Sequence, residues 1–369
     1  MKQRHIIQIS AYYPPHLGGQ ENAVRDLALA LTGVGHDVHV LTSAEGARSG
    51  TSIENNIQVN RMSGPVFGHA PIMPRFPWAL FRTARADSTV HLHIGQAFTP
   101  EMVWLISKLR RFRYIAELHI DFEPSGPAGA LLPLYKALVL KRVLRSASSI
   151  ITLNEKTLST VRDVYGYTGR AQVMSNGIDE VYFTLERSPL ASKPPEVLRL
   201  LFVGRLSKQK NLIALLGALK IITRPVRLDV VGEGAQLGLI ERTIADYGLT
   251  NVILHGRLKR DEVIAFYRNS DALIMPSLYE AQPLVLLEAM AARIPIIGTD
   301  VIGVGEHIRD VGIIVPPTAE GLVAGIEQYY EHYAKLQSMV ERGYGTAKKL
   351  RWSRILGEYE GLYEAVARG

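Results

Sequence analysis

Short apolar runs along the chain alternate with stretches in which apolar residues recur every three or four positions. His5–Ser10 is the first run. It is followed by Gln20–Thr32, where Ala23, Leu27, Ala30 and Leu31 fall at helical spacing and Gly33 and Gly35 supply a C-cap. Strands are also predicted at Val38–Thr42, Thr89–His93, Tyr114–His119 and Ser149–Leu153, with helical stretches between them. This order predicts a parallel sheet covered by helices on both faces. Ser188-Pro189 to Pro194-Pro195 is polar and proline-rich and suits a linker, after which the pattern restarts. Leu198–Val203, Leu228–Val231, Val252–His255, Ala272–Met275 and Ile294–Gly298 read as its strands and Leu212–Ile222 as its first helix. Two successive α/β units, each opening with a strand and a glycine loop, predict two Rossmann-like domains. The last helical stretch, about Arg351 to Ala367, carries Trp352, Ile355, Tyr359 and Tyr363 along one face, so it needs an apolar surface to pack on.

Composition narrows the classes. A chain of 369 residues is long for one core, and 47% apolar with 21% charged residues describes a soluble globular protein. It has no cysteine, which excludes disulfides, thiolate metal sites and a catalytic thiol. The N-terminal residues lack a signal-peptide core. The longest apolar region, Ala128 to Leu140, carries Pro133 and Lys136 and falls short of the roughly 20 residues a membrane span needs. The expected compartment is the cytoplasm. A formal charge of +7 favours anionic partners: nucleotides, phosphorylated substrates, nucleic acid or anionic lipid.

The densest chemistry lies in Pro276–Met290, where Glu280 and Glu288 are eight positions apart, a little over two helical turns. Glu280 is expected just before an apolar helix and Glu288 inside it. Gly204 opens a sharp turn at a strand end, followed by Arg205 and Lys210, two cations that suit a pyrophosphate. Gly18-Gly19 precedes a helix, where backbone N–H groups can approach an anion. Asn176-Gly177-Ile178-Asp179 reads as a turn, and His93 and His119 end predicted strands. The chain has no His-Glu-x-x-His or Asp-x-Asp motif, and Asp121 with Glu123 is weak evidence for a metal. No metal and no cofactor are expected.

The order of these pieces resembles the retaining GT-B glycosyltransferases of family 4 over nearly the whole chain. It includes Tyr13-Pro14-Pro15 with Gly18-Gly19, Gly35-His36-Asp37-Val38, His119, Asn176-Gly177-Ile178-Asp179, Gly204-Arg205, Lys210-Asn211, Val231-Gly232-Glu233-Gly234 and the Glu280–Glu288 block. The resemblance implies two domains facing across a cleft. The first is residues 1–186, joined by a C-terminal helix in 351–369 that crosses back; the second, 187–350, binds the nucleotide sugar. It implies that Glu288 accepts hydrogen bonds from the ribose and Glu280 lies by the transferred sugar. Arg205 and Lys210 would hold the diphosphate, Gly19 would lend it a backbone N–H, and His119 would reach the sugar. Gly18, Gly204, Gly232, Arg257, Leu258, Ala281, Gln282, Leu284 and Val285 complete the expected donor contacts. One departure stands out: family members often carry Gly-Phe-Gly where this chain has Ala281-Gln282-Pro283, and Pro283 has no N–H to give. That bears on which sugar is accepted, and Gln282 is a candidate for replacing the lost contacts.

The implied reaction is transfer of a hexosyl group from a UDP- or GDP-sugar to a hydroxyl of a sugar, lipid-linked sugar or small molecule, with retention. The rivals are a glycan phosphorylase or epimerase on the same architecture and a non-catalytic nucleotide-sugar-binding subunit. Lys108, Arg110, Arg111 and Arg113, and Lys136, Lys141, Arg142 and Arg145 among leucines, offer a peripheral contact with an anionic membrane surface; a solvated helix face is the rival reading. Aromatic residues among them are sparse, so nucleic acid is not an expected partner.

Overall fold

The apolar runs pair as strands of two sheets, one in each of two compact units of the computed structural model, which describes residues 3–16, 18–67, 70–119, 132–185, 187 and 189–368. Asp121, Glu123, Ser188 and the first part of the 128–140 apolar region lie outside the described residues.

The first unit comprises residues 1–177 and 352–369. Its strands are β1 (His5–Ile9), β2 (Asp37–Ser43), β3 (Gly50–Glu54), β4 (Ile57–Met62), β7 (Thr89–Ile94), β8 (Tyr114–Leu118), β9 (Ser149–Thr152) and β10 (Arg170–Val173). They lie in the order β10-β9-β8-β7-β1-β2-β4-β3. All neighbours are parallel except β3, an antiparallel edge strand. A separate two-stranded ribbon pairs β5 (Val66–Phe67) with β6 (Ala70–Pro71). Strands buried on both faces are expected to be apolar throughout. β7 and β8 are buried along their whole length, yet they carry His91, His93 and Glu117. Helix Gly19–Gly33 and the final helix Trp352–Arg368 pack on each other, and the final helix also reaches β7.

The second unit comprises residues 178–351. β11 (Leu198–Val203), β12 (Val226–Val231), β13 (Val252–Gly256), β14 (Ala272–Met275), β15 (Ile296–Thr299) and β16 (Ile313–Val315) form a fully parallel sheet in the order β13-β12-β11-β14-β15-β16. Leu200, Phe202, Leu216, Leu228, Ile297 and Leu322 pack one side of it, and Leu201, Leu273, Leu287 and Met290 the other.

The chain changes unit at 177/178, nine residues before the expected 186/187. Ile178 donates its N–H to the Leu350 carbonyl and bridges Arg351, and Tyr182 joins the second core beside Tyr267 and Leu286. The proline-rich stretch, described from Pro189 to Pro195, is therefore not where the chain changes unit. It runs within the second unit, where the Leu190 N–H bonds the Gln337 side chain at 2.9 Å. The polar composition marks a loop, and the loop happens not to be the crossing. Among the described residues, no helix is long and apolar enough to cross a membrane.

Candidate functional site

Strand order decides where a ligand crevice can form. In the second sheet the order reverses between β11 and β14, so the loops leaving their carboxyl ends diverge. Gly204–Asn211 follows β11 and Pro276–Pro283 follows β14. The two loops are tied together. The Leu278 N–H bonds the Gln209 carbonyl at 2.8 Å, and Asn211 Nδ2 reaches the carbonyls of Pro276 and Pro317 at 3.0 and 3.1 Å. Asn211 adopts a left-handed conformation (φ 52°) as the next helix begins.

Glu280 is gripped at this junction. Lys210 Nζ lies 2.5 Å from its Oε1, Ser277 Oγ donates to the same oxygen at 2.7 Å, and Gln209 Nε2 stands 3.4 Å from Oε2. Gln209 also bonds the Tyr279 carbonyl at 2.8 Å. The Glu280 backbone is held by the Ile302 carbonyl at 2.9 Å. Gly303 allows this approach: its φ is +77°, and a Cβ there would lie 2.0 Å from the Glu280 carbonyl oxygen. Gly232 does the same for the first loop. Its φ is +141°, and a Cβ would meet the Gly204 carbonyl oxygen at 1.9 Å. Arg205 stands exposed beside the turn.

Glu288 lies in the second turn of helix Leu284–Ala291. Tyr267 donates to its Oε2 at 2.7 Å, and the Tyr267 ring meets Tyr182 edge-on at 5.4 Å. Burial, then the Glu288 charge, pushes both tyrosine hydroxyls well above their usual range. Both therefore stay neutral donors. Leu284 and Val285 are half-buried against the same core. Leu258 packs there too, while Arg257 is exposed with a guanidinium nitrogen 3.7 Å from Glu233. Ala281 is half-buried and Gln282 is 9% exposed. Pro283 sits at the N-cap of the helix, its carbonyl accepting the Leu286 N–H at 3.1 Å.

In the first unit the strand order reverses between β1 and β7. Helix Gly19–Gly33 begins after β1 with Gly18 at its cap. The carboxylate of Glu21 folds back against Gly18, where a Cβ would lie 2.0 Å from its Oε2, and Glu21 Oε1 is 2.8 Å from His16 Nδ1. An acidic side chain thus lies beside the glycine pair read as an anion cradle.

His119 follows β8 and is 6% exposed. Its Nε2 shares a hydrogen bond with His93 Nδ1 at 2.9 Å and lies 3.4 Å from Glu117 Oε1. His91 Nε2 is 3.0 Å from Glu117 Oε2, and His91 Nδ1 is 2.8 Å from the Tyr363 hydroxyl of the final helix. Burial pushes His93 well below the usual histidine range, with His91 and His119 adding to it. Burial also lowers His119, opposed by Glu117 and Glu21. For Glu117 burial pulls upward, but His119 and His91 outweigh it and hold the carboxyl below its usual range. The arrangement is a carboxyl held below its usual range beside His93 and His119, two imidazoles held below theirs. Among the described residues, His91, His93 and Glu117, and separately His5, Asp37 and His39, bring metal-ligand-type atoms within 4.8 Å of one another.

The structure brings together Gly204, Arg205, Lys210, Gly232 and Glu280, with Glu288 one helix turn further. It adds Gln209, Ser277, Tyr267, Tyr182 and Gly303. Only Gln209 and Ser277, flanking recognised motifs, had any local signal; the tyrosines reach Glu288 through tertiary packing alone.

Residues 187–346 match the model of glycosyl transferases group 1, and residues 17–182 match glycosyltransferase family 4. A glycogen synthase from Mycobacterium tuberculosis (strain CDC 1551 / Oshkosh) is 26% identical, over 99% of this chain and 95% of the relative. Among solved structures, a sucrose-phosphate synthase from Thermosynechococcus elongatus aligns with a TM-score of 0.77 at 21% identity, covering 99% of both chains. Alr3699/HepE of Anabaena, solved in complex with UDP-glucose, aligns with a TM-score of 0.78 at 18% identity, covering 98% of this chain and 99% of that one.

Proposed function

Because this chain belongs to the family 4, group 1 glycosyltransferases, we propose that it moves a hexosyl group from a UDP- or GDP-sugar to a hydroxyl acceptor with retention of configuration. The observation that carries this reading is the Lys210–Glu280 pair at the strand-order reversal of the second sheet, gripped by Ser277 and Gln209. An ammonium has three donors, so Lys210 can hold Glu280 and a phosphate oxygen at once. With Arg205 it stabilises the charge that grows on the departing diphosphate. Glu280 then faces the transferred sugar and places negative potential near its anomeric carbon. Glu288, with one oxygen steadied by Tyr267, offers its remaining lone pairs to the ribose diol. The acceptor hydroxyl attacks from the face the diphosphate leaves, through an oxocarbenium-like state, and the leaving phosphate takes its proton. The complex of the Anabaena relative with UDP-glucose supports the donor class.

Thermal stabilisation by UDP, GDP and ADP, followed by turnover of their sugars, tests the donor. The anomeric configuration of the product, read by NMR, tests retention. Stabilisation without any turnover would favour a nucleotide-sugar-binding subunit, and dependence on orthophosphate a phosphorylase. Because two cations of the chain neutralise the leaving group, dialysis against EDTA leaves turnover unchanged. Loss that added Mg²⁺ or Mn²⁺ restores would overturn that assignment.

A further inference from the structure

Three neighbouring segments of the first unit hold an unusual share of the charge. Residues 75–83, 99–113 and 132–146 carry ten of the 42 lysines and arginines and one of the 35 acidic residues, a net +9 against +7 for the whole chain. The remainder of the protein is thus slightly acidic. The single acid, Glu101, is half-buried, and burial raises its pKa. These segments contain helices Phe76–Thr83 and Thr99–Arg110 and the helical stretch Leu132–Ser146, which share one core through Phe76, Leu80, Val103, Ile106, Leu140 and Leu144. Trp104 Nε1 ties the second helix to the third stretch through Ser146 Oγ at 3.1 Å.

Their outer sides are apolar as well as basic. Trp78 is 62% exposed and Leu109 72%, and Phe81, Leu105, Leu134 and Leu138 are exposed too. Trp78 and Phe81 stack at 6.5 Å. Arg82 lies over Trp78 at 5.5 Å, and Arg110 of the second helix lies over Phe81 at 4.7 Å. The first two helices therefore present one continuous aromatic and cationic patch. Large side chains at the rim of a basic face match what an interfacial helix inserts at the headgroup boundary.

We propose that this face is a peripheral docking surface for an anionic lipid bilayer. Two other occupants fit less well. A second copy would bring the same excess of lysine and arginine against this one, which repels. Single-stranded nucleic acid would need bases stacked on rings, whereas Leu105, Leu109, Leu134 and Leu138 are aliphatic. A bilayer takes both parts, the leucines and Trp78 at the acyl boundary and the cations at lipid phosphates. Each lysine or arginine brought to an anionic surface strengthens binding about fivefold. The inference stands apart from the donor reading, since none of these residues belongs to the second unit.

Co-sedimentation of the full chain with vesicles of phosphatidylglycerol and phosphatidylcholine in equal parts tests it. Binding is expected at about 0.03 M salt and a large loss at about 0.5 M, where charges are screened within a few ångströms. Trp78→Ser/Leu109→Ser and Lys108→Glu/Arg111→Glu should each reduce partitioning at least tenfold while circular dichroism and the denaturant midpoint stay unchanged, which shows the variants fold. Trp78 should give a blue shift in fluorescence with vesicles that Trp78→Phe removes. No binding to anionic vesicles at low salt, equal binding by both double variants, or equal binding to pure phosphatidylcholine would overturn the proposal. So would an RNA gel shift without vesicle binding, or a concentration-dependent dimer that Leu109→Ser abolishes.

Discussion

The two units are built on the same plan, parallel strands with one reversal of order, but they keep their polar groups in different places. In the second unit Arg205, Lys210 and Glu280 stand on loops beyond the strand ends. In the first, His91, His93 and Glu117 lie inside β7 and β8, at no more than 1% exposure. On the loops, Arg205 is exposed and Lys210 pairs with Glu280 outside the sheet, so these charges can be exchanged with modest cost to the fold. Charges inside strands must satisfy one another, because an unpaired polar group in the interior is expensive. The second unit is therefore where single substitutions should change chemistry, and the first where they should change stability and its dependence on pH.

The largest effect should come from Lys210→Ala. Loss of a cation at the leaving diphosphate should lower kcat by about 10²–10³-fold with the fold intact, measured by steady-state kinetics and circular dichroism. An unchanged kcat would remove the second unit's loops from the chemistry. Glu288→Ala should weaken nucleotide binding by roughly 10–100-fold in calorimetry, the value of a hydrogen bond to a charged group. Normal affinity would sink its ribose assignment. Gln282→Ala should alter which sugar is accepted, and an unchanged donor preference would leave that largely buried side chain as packing.

The first unit should respond differently. Tyr363→Phe leaves His91 Nδ1 without its 2.8 Å partner and should cost about 1–3 kcal/mol of stability in denaturant titration, with little change in KM. The smallest effect is the pH dependence. His93 and His119 have folded-state pKa values held below the ordinary 6.5 by burial. As pH falls through that value the unfolded chain binds more protons than the folded one, so stability declines from pH 7 toward 5. The lowered Glu117 adds its own loss at more acid pH, as it protonates. His93→Gln should show a smaller decline between pH 7 and 5.5 than the parent, read as the shift in denaturant midpoint. An equal decline would place the titrating group elsewhere.

The second unit's site was legible because its parts are contiguous. Glu280 and Glu288 are eight residues apart on a loop and the helix it enters, and Gly204, Arg205 and Lys210 follow one strand. Periodicity and turn chemistry act over such distances. The first unit's cluster was only half legible. His119 and His93 were noted as strand ends, but Glu117 reads as one more residue of an apolar run. Its partnership with His93 depends on the β7–β8 register, which sets His93 opposite Glu117. The domain boundary moved for a related reason. A proline-rich stretch is visible in the chain, whereas the hydrogen bond from Ile178 to Leu350 joins residues far apart in sequence.

The sequence by itself determined the two α/β units, the glycine loops at the strand ends and the order of motifs that marks the family, since each rests on spacing within a turn, a strand or a helix. Tertiary packing brought Gln209 to Glu280 from the neighbouring loop and Tyr267 to Glu288. It also decided that Glu117 sits among three histidines and that Arg82 and Arg110 lie over the exposed rings of Trp78 and Phe81. Those arrangements depend on which strands neighbour each other and which helix faces turn outward. Such choices are made by packing distant segments against one another, not by any local run of residues.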